Sequence, residues 1–451
     1  MPIVQTGQSS SSLPDAPRIA IPYINAAPDL MNDHTGELSV FWFGEVRNAE
    51  NYTDVRMGYN SQELFIRLQV FDRRCWFDET EPLNEPTKWD AAAVYLNLDG
   101  NTGNTPTTRS YQFLVQFDAF PSWNPEWEIT KFPYQGNGTG WTLTNLPFNF
   151  TSSYTGGVPN DDGDDRGWTA IIRVPFSSLG LTSAPAQGTT WGLAAVNYDR
   201  DDAAGTAIAP KVWPRSVNLN QPFTWGQFVF GLPSTTPTPI NPTGSVTISQ
   251  GVNGATVSDA SVGGSSQCGA GTSFFGTWGD TNEIFYNPVL SDFNIQNQGN
   301  VADWPCFSKV YIAFPLNQVP AGKRILSATL TMYVFGNSGV AGQEHASLIH
   351  IYSLNQTWNE STITWNNAPY VDKYITQSWV NSPPPNTGFP GIPNNWDVTT
   401  AVTTAYAAGK PVNLVLYSSD NWMDSGKYFI SSNTGDWNAT GRPKLTIVWG
   451  D

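Results

Sequence analysis

Asp54-Val-Arg-Met-Gly-Tyr-Asn-Ser-Gln-Glu-Leu-Phe-Ile-Arg-Leu-Gln-Val-Phe71 sets the terms for reading this chain. Apolar and polar residues alternate on both sides of Asn60-Ser61-Gln62, and the flanking runs are rich in β-branched and aromatic residues. That is the pattern of two antiparallel strands joined by a hairpin-type turn. The same pattern recurs in Glu37–Phe43, Ala91–Leu98, Tyr111–Phe117, Gly167–Pro175 and Trp191–Tyr198. No long amphipathic helix competes in this half; Phe176–Gly180 predicts a single helical turn. The expectation is an all-β fold.

A second stretch divides the chain: Leu232-Pro-Ser-Thr-Thr-Pro-Thr-Pro-Ile-Asn-Pro-Thr-Gly244. Its prolines fix φ and remove N–H donors, so it reads as a stiff spacer, neither a helix nor a central strand. At 451 residues the chain exceeds a single hydrophobic core. The expected organisation is a polar leader over 1–17, a β-sandwich over 18–231, a Pro/Thr-rich linker over 232–244, and a second, jelly-roll-like β-sandwich over 245–451.

The second half alternates as the first does, at Lys309–Phe314, Lys323–Phe335, Ser347–Tyr352, Val412–Tyr417, Tyr428–Ser431 and Pro443–Trp449. Asp397–Ala408 is its helix candidate, opened by an Asp or Thr cap.

Charged residues are 13% of the chain and aromatic residues 13%, with a net charge of −16. Such an acidic chain is repelled by nucleic acid and anionic membranes. No apolar run reaches the ~18 residues of a membrane span, and no apolar signal segment opens the chain, so Met1 reads as the start of a mature form. Abundant Trp beside Asn and Asp fits an extracellular carbohydrate binder: rings offer flat apolar faces and amides directional hydrogen bonds.

Cys268 and Cys306 could pair, leaving Cys75 alone, or all three could be reduced. With three His and no C-x-x-C, zinc and haem are poorly supported. Met57 stands in a strand, and His34 is the only His of this half. Asn51, Asn137, Asn149, Asn355, Asn359 and Asn438 fit the Asn-x-Ser/Thr glycosylation pattern.

Two ligand chemistries are legible. Asp161, Asp162, Asp164 and Asp165 crowd into one turn, and such carboxylates repel one another unless a cation such as Ca²⁺ screens them; otherwise the turn is simply solvated. Asp99 and Asn101 alternate like a calcium loop but lack its terminal Glu, and Asp199-Arg-Asp-Asp202 follows the last long strand. For sugar stacking the candidates are Trp123 and Trp127, close together in Pro121–Trp127, then Trp76 and Trp141; the alternative is that these rings cap the sandwich. Trp89, Trp168 and Trp191, at strand edges, read as core.

The runs "DVRMGYNSQELFIRLQVFD", "KWDAAAVYLNLDGNTGN", "GWTAIIRVPFSSLGL", "WGLAAVNYDRDD" and "FTWGQFVFG" together resemble the family 9 carbohydrate-binding modules and related DOMON domains. The resemblance implies a two-sheet sandwich, bound Ca²⁺ and a sugar held by Trp side chains. In the second half, "KVYIAFPL", "RILSATLTMYV", "IHIYSLNQTWNESTITWNNAP", "WDVTTAV" and "GRPKLTIVW" resemble DNRLRE domains and family 96 carbohydrate-binding modules. Trp358, Glu360, Thr364, Trp365 and Pro369 carry that motif, and the expectation for them is structural.

No G-x-S-x-G, P-loop, H-E-x-x-H or G-x-G-x-x-G signals an enzyme. Three readings stand. The first is a secreted or cell-surface, non-catalytic polysaccharide binder with structural Ca²⁺. The second is a self-associating subunit of an extracellular filament or surface layer. The third is a polysaccharide hydrolase or lyase using a carboxylate pair.

Overall fold

A computed structural model describes residues 16–25, 28, 30, 37–77, 85–118, 130–233, 241–263, 273–280, 292–301, 304–420, 422 and 424–451, the side chains of 298–301 and 304–306 excepted. The fold is nearly all-β. It divides into two compact units: residues 1–23, 51–54 and 59–232 form unit 1, and residues 24–50, 55–58 and 233–451 form unit 2.

Among the described residues thirteen strands precede the proline-rich stretch. They are β1 Arg18–Ile21, β2 Ser39–Arg47, β3 Glu50–Tyr59, β4 Glu63–Phe71, β5 Ala91–Asn97, β6 Ser110–Gln116, β7 Lys131–Gly136, β8 Trp141–Leu143, β9 Asn149–Thr155, β10 Gly167–Pro175, β11 Thr190–Tyr198, β12 Lys211–Trp213 and β13 Gly226–Phe230. The turn into β4 forms as the sequence predicts. Asn60 Oδ1 accepts from the N–H groups of Gln62 and Glu63 at 2.7 and 2.9 Å, an Asx turn that reverses the chain.

In unit 1 one sheet runs β1-β13-β11-β5-β6-β7-β8, with β12 also on β11; β1 is parallel to β13 and the other pairs are antiparallel. A second layer pairs β4, β10 and β9 antiparallel. Rings bridge the layers: Phe117 meets Trp168 at 5.6 Å, and Phe176 meets Trp191 at 6.4 Å. The predicted helical turn is present at Phe176–Leu179 and closes on Gly180 at φ +74°.

Unit 2 adds β14 Gly244–Ile248, β15 Ser258–Gly263, β16 Asp292–Val301, β17 Trp304–Phe314, β18 Arg324–Asn337, β19 Ser347–Ser353, β20 Lys373–Val380, β21 Ile392–Asp397, α1 Thr399–Ala407, β22 Val412–Ser418, β23 Lys427–Ile430 and β24 Lys444–Gly450. One layer runs β15-β17-β22-β19-β20, and the other β14-β24-β18-β21 with β23 also on β18. Between them Ile312, Phe314, Leu330, Met332, Ile351, Trp396, Leu416, Phe429 and Ile447 form a buried core. Helix α1 falls within the expected span, but Val398, not Asp or Thr, stands at its N-cap and makes no side-chain cap bond. Asp397 Oδ1 accepts from the Thr399 N–H at 3.0 Å, and Val398, Ala401 and Val402 are buried against the core.

The segment 24–50 is sewn into unit 2. Val46 N–H donates to Asn366 Oδ1 at 2.8 Å and Asn366 Nδ2 returns to Val46 C=O at 3.1 Å. Tyr352 Oη donates to Val40 C=O at 2.6 Å. The Lys309 ammonium lies 3.9 Å from the Trp42 ring centre and 3.6 Å from that of Trp365, a buried cation–π arrangement.

The Trp358–Pro369 motif serves packing: Trp365 is buried and stacks 5.8 Å from Phe307, and Pro369 C=O accepts from Tyr311 Oη at 2.9 Å. Glu360 accepts from the Asn433 side-chain amide at 2.8 Å. Asn51 and Asn438 are buried, so those two sequons cannot accept a glycan in the folded chain.

Candidate functional site

Strand β4 lies in a different layer of unit 1 from the paired strands β5 and β11, yet an Asp stands at one end of each. Asp72 follows β4, Asp90 precedes β5, and Asp199 follows β11 with Asp201 two residues on. Antiparallel pairing of β5 with β11 runs from Gly192↔Asn97 to Tyr198↔Ala91, which brings the start of β5 beside the end of β11. Carboxylate oxygens of Asp72, Asp199 and Asp201 lie within 4.8 Å of one another, and atoms of Asp72, Cys75 and Asp90 form an overlapping group.

Asp72, Asp90 and Asp199 are buried and Asp201 half-buried. Asp90 is fully engaged: Trp76 N–H donates to Oδ2 at 2.7 Å and Arg200 N–H to Oδ1 at 2.8 Å. Asp72 Oδ1 accepts from Arg74 N–H at 3.0 Å. Asp72 Oδ2 and Asp199 Oδ1 are buried with no partner. The nearby guanidiniums turn away: Arg200 donates to the carbonyls of Asp199 and Thr87, and Arg74 to the carbonyl of Asp201.

Burial, then the neighbouring carboxylates, pushes Asp72 and Asp90 well above the usual range. Burial and Asp201 push Asp199 up to about 7. Burial raises Asp201 to about 6 against the pull of Arg74. Burial, then the Asp carboxylates, also pushes the Cys75 thiol up. Two orphaned oxygens in a dense anionic set suit a hard cation bound through oxygen; Ca²⁺ fits this donor set.

The Asp residues of the 160–165 turn are held apart. Asp164 pairs with Arg73 at 2.6 Å, Asp162 lies 3.7 Å from Arg74, and Asp161 Oδ1 accepts from Gly163 N–H at 2.6 Å. Asp165 is buried, with Oδ2 accepting from Cys75 N–H at 2.9 Å. Asp99 pairs with Arg109 at 2.6 Å, and Asn101 accepts from the Gln227 amide. Asp72 and Asp90 escaped the sequence reading; the signal was an Asp at the boundary of a strand, in "QVFD" and "KWDAAAV".

Trp123 and Trp127 lie outside the described residues, as do Cys268 and the Cys306 side chain; Cys75 is free and buried. Trp76 is nearly buried and stacks on Trp89 at 6.4 Å, beside the Asp cluster. Trp141 stands half-buried on the sheet face turned from β4, β10 and β9. There it lies parallel to buried Trp225 at 6.3 Å and 5.4 Å from Tyr95, and its Nε1 donates to Asn220 at 3.0 Å. Tyr134, Tyr198, Val217 and Leu219 pack around the same patch, over a floor of Ala91, Ala93 and Ala194.

Residues 294–447 match the model of carbohydrate-binding module family 96. Among solved structures, a family 9 carbohydrate-binding module from Caldicellulosiruptor kristjanssonii in complex with cellotriose is similar at 14% identity, over 50% of this chain and 100% of that one, with a TM-score of 0.33. A putative carbohydrate-binding protein from Bacteroides uniformis is similar at 11% identity, over 48% of this chain and 99% of that one, with a TM-score of 0.33. No curated protein matches. No helix among the described residues is long and apolar enough to cross a membrane.

Proposed function

We propose that this chain is a non-catalytic polysaccharide-binding protein of the cell surface or extracellular space, built on β-sandwich modules. The observation that carries the reading is the family 96 match over residues 294–447, placed on a sandwich whose motif residues serve packing. The acidic composition and the wealth of aromatic side chains support it. Affinity electrophoresis through gels cast with plant, algal and microbial polysaccharides tests it. Retardation in at least one gel is expected; free migration in all of them would overturn the reading.

Structural Ca²⁺ belongs to the same proposal. Asp72, Asp199 and Asp201 would hold the ion, which would neutralise the cluster and tie the end of β4 to the end of β11. Calorimetry of the metal-free chain with CaCl₂ is expected to show saturable binding that Asp72→Asn abolishes. Unchanged binding in that variant would place the ion elsewhere.

A further inference from the structure

Strand β18 buries Ala328, Leu330, Met332 and Val334, so Thr329, Thr331, Tyr333 and Phe335 line the opposite, outward face of its sheet. Register extends that face across three neighbours. Asn395 of β21 stands opposite Thr331, Thr446 of β24 opposite Thr329, and Thr247 of β14 opposite Thr446. Thr331 Oγ1 donates to Asn395 Oδ1 at 2.6 Å, and the hydroxyls of Thr247 and Thr446 lie 3.0 Å apart. The result is a flat array of hydroxyls and amides.

At one end the array gives way to rings. Phe335 lies 5.5 Å from Phe389 and 6.4 Å from Tyr428, and Phe389 lies 4.9 Å from Trp437. Trp437 is 58% exposed and Phe389 45%. These rings are fixed in place despite their exposure. A Cβ on Gly435 would fall 2.8 Å from Trp437 Cδ1, so the indole lies across bare backbone. Arg442 closes that loop by donating to Thr434 C=O at 2.7 Å and Asp436 Oδ1 at 2.8 Å. Gly391, at φ +90°, lets the Phe389 loop press on β18, where a Cβ would meet Val334 C=O at 2.6 Å. Rings exposed yet held lose little freedom on binding, the condition for a preorganised contact.

We propose that unit 2 binds a neutral polysaccharide on this face, with sugar C–H faces on Trp437 and Phe389 and sugar hydroxyls on the Thr and Asn array. The inference rests on the polysaccharide-binding reading above and gives it a site and a ligand class. A sugar ring presents one apolar face and a rim of hydroxyls, and the strip supplies both complements side by side. Charge argues for neutrality: Arg442 is paired with Asp436, and Lys444 sits against Tyr333, 3.2 Å from its hydroxyl and 5.0 Å from its ring centre. An anionic polymer would find little to neutralise it on a chain of net charge −16. Phe335, Phe389, Tyr428 and Trp437 all fall within the segment that matches family 96.

The test is affinity electrophoresis of the full chain in gels containing hydroxyethylcellulose, xylan, galactomannan or polygalacturonate, with Trp437→Ala, Phe389→Ala and Gly435→Ala alongside. Wild type should be retarded by at least one of the neutral polymers, and each variant should weaken that binding about tenfold or more while melting with the wild type. Should a variant fold poorly, hydrogen exchange on wild type decides: the neutral polymer should protect 388–391 and 435–437. Binding unchanged in the variants, or no protection there, would overturn the site and leave the general reading standing. Retention by polygalacturonate alone would overturn the ligand class. Retention by no polymer would overturn both the inference and the reading beneath it.

Discussion

Unit 1 carries two groups of four aspartates, and their surroundings differ in kind. Asp161, Asp162, Asp164 and Asp165 are neighbours in sequence, and Arg73 and Arg74 draw two of them apart at a partly solvated surface. Asp72, Asp90, Asp199 and Asp201 are scattered over 130 positions, yet they meet behind Trp76 with two oxygens unpartnered. Water, guanidinium and backbone N–H groups satisfy Asp161, Asp162 and Asp164 at little cost, whereas buried Asp165 keeps one oxygen unpartnered, and in the second group burial and mutual repulsion raise every carboxylate above its usual range. Density of like charge along a chain therefore points to a solvated turn as readily as to a metal site. Convergence of strand ends in the interior is what raises carboxylates far above their usual range.

Metal removal at pH 8 should break this symmetry most. Ca²⁺ at a hundredfold excess over Kd adds about 2.7 kcal/mol to the folded state. Differential scanning calorimetry with and without chelator should show the loss; identical curves would mean the cluster holds no ion.

The pH dependence has a definite sign. Asp199 near 7 and Asp201 near 6 are raised above their unfolded values, so the folded, metal-free chain binds more protons than the unfolded one. Their stabilising contribution is complete below about pH 4 and is lost as pH rises through 6 to 7. In chelator the melting temperature should fall from pH 5 to pH 8, and Ca²⁺ should restore it most at pH 8. A melting temperature that climbs over that range in chelator would contradict the geometry.

Asp199→Asn sharpens the comparison further. Removing one of the crowded charges should stabilise the metal-free chain at pH 8 by on the order of 1 kcal/mol and destabilise it in Ca²⁺. The same sign in both conditions, read by chemical unfolding, would deny the cluster an ion. The smallest effect belongs to the other group: Asp162→Asn and Asp164→Asn touch exposed pairs and should shift stability by less than about 0.5 kcal/mol, with or without Ca²⁺.

Much of the fold is legible in the chain. Alternation marked β4, β5, β6, β10 and β11, and Asn60 marked its turn; α1 forms within its expected span but with Val398, not the expected Asp or Thr, at its N-cap. The ring strip of unit 2 was not legible. Phe335 and Tyr428 come from two strands, Phe389 from a loop and Trp437 from a 3-10 helix, and each alone reads equally well as core. Their exposure depends on which parity of β18 faces inward and on loops that glycine lets approach. Grouping of 24–50 with unit 2 was hidden for a similar reason, since the hydrogen bonds of Val40 and Val46 are to residues some three hundred positions away.

By itself the sequence determined the β class, the acidic balance and the wealth of aromatic and amide side chains. Those follow from local physics: side-chain periodicity of two and a charge total that folding does not alter. Only the tertiary structure decided which aspartates converge and which rings stay in the open. Both depend on strand register, which is set by pairings between distant segments, and a slip of one residue would exchange the buried parity for the exposed one.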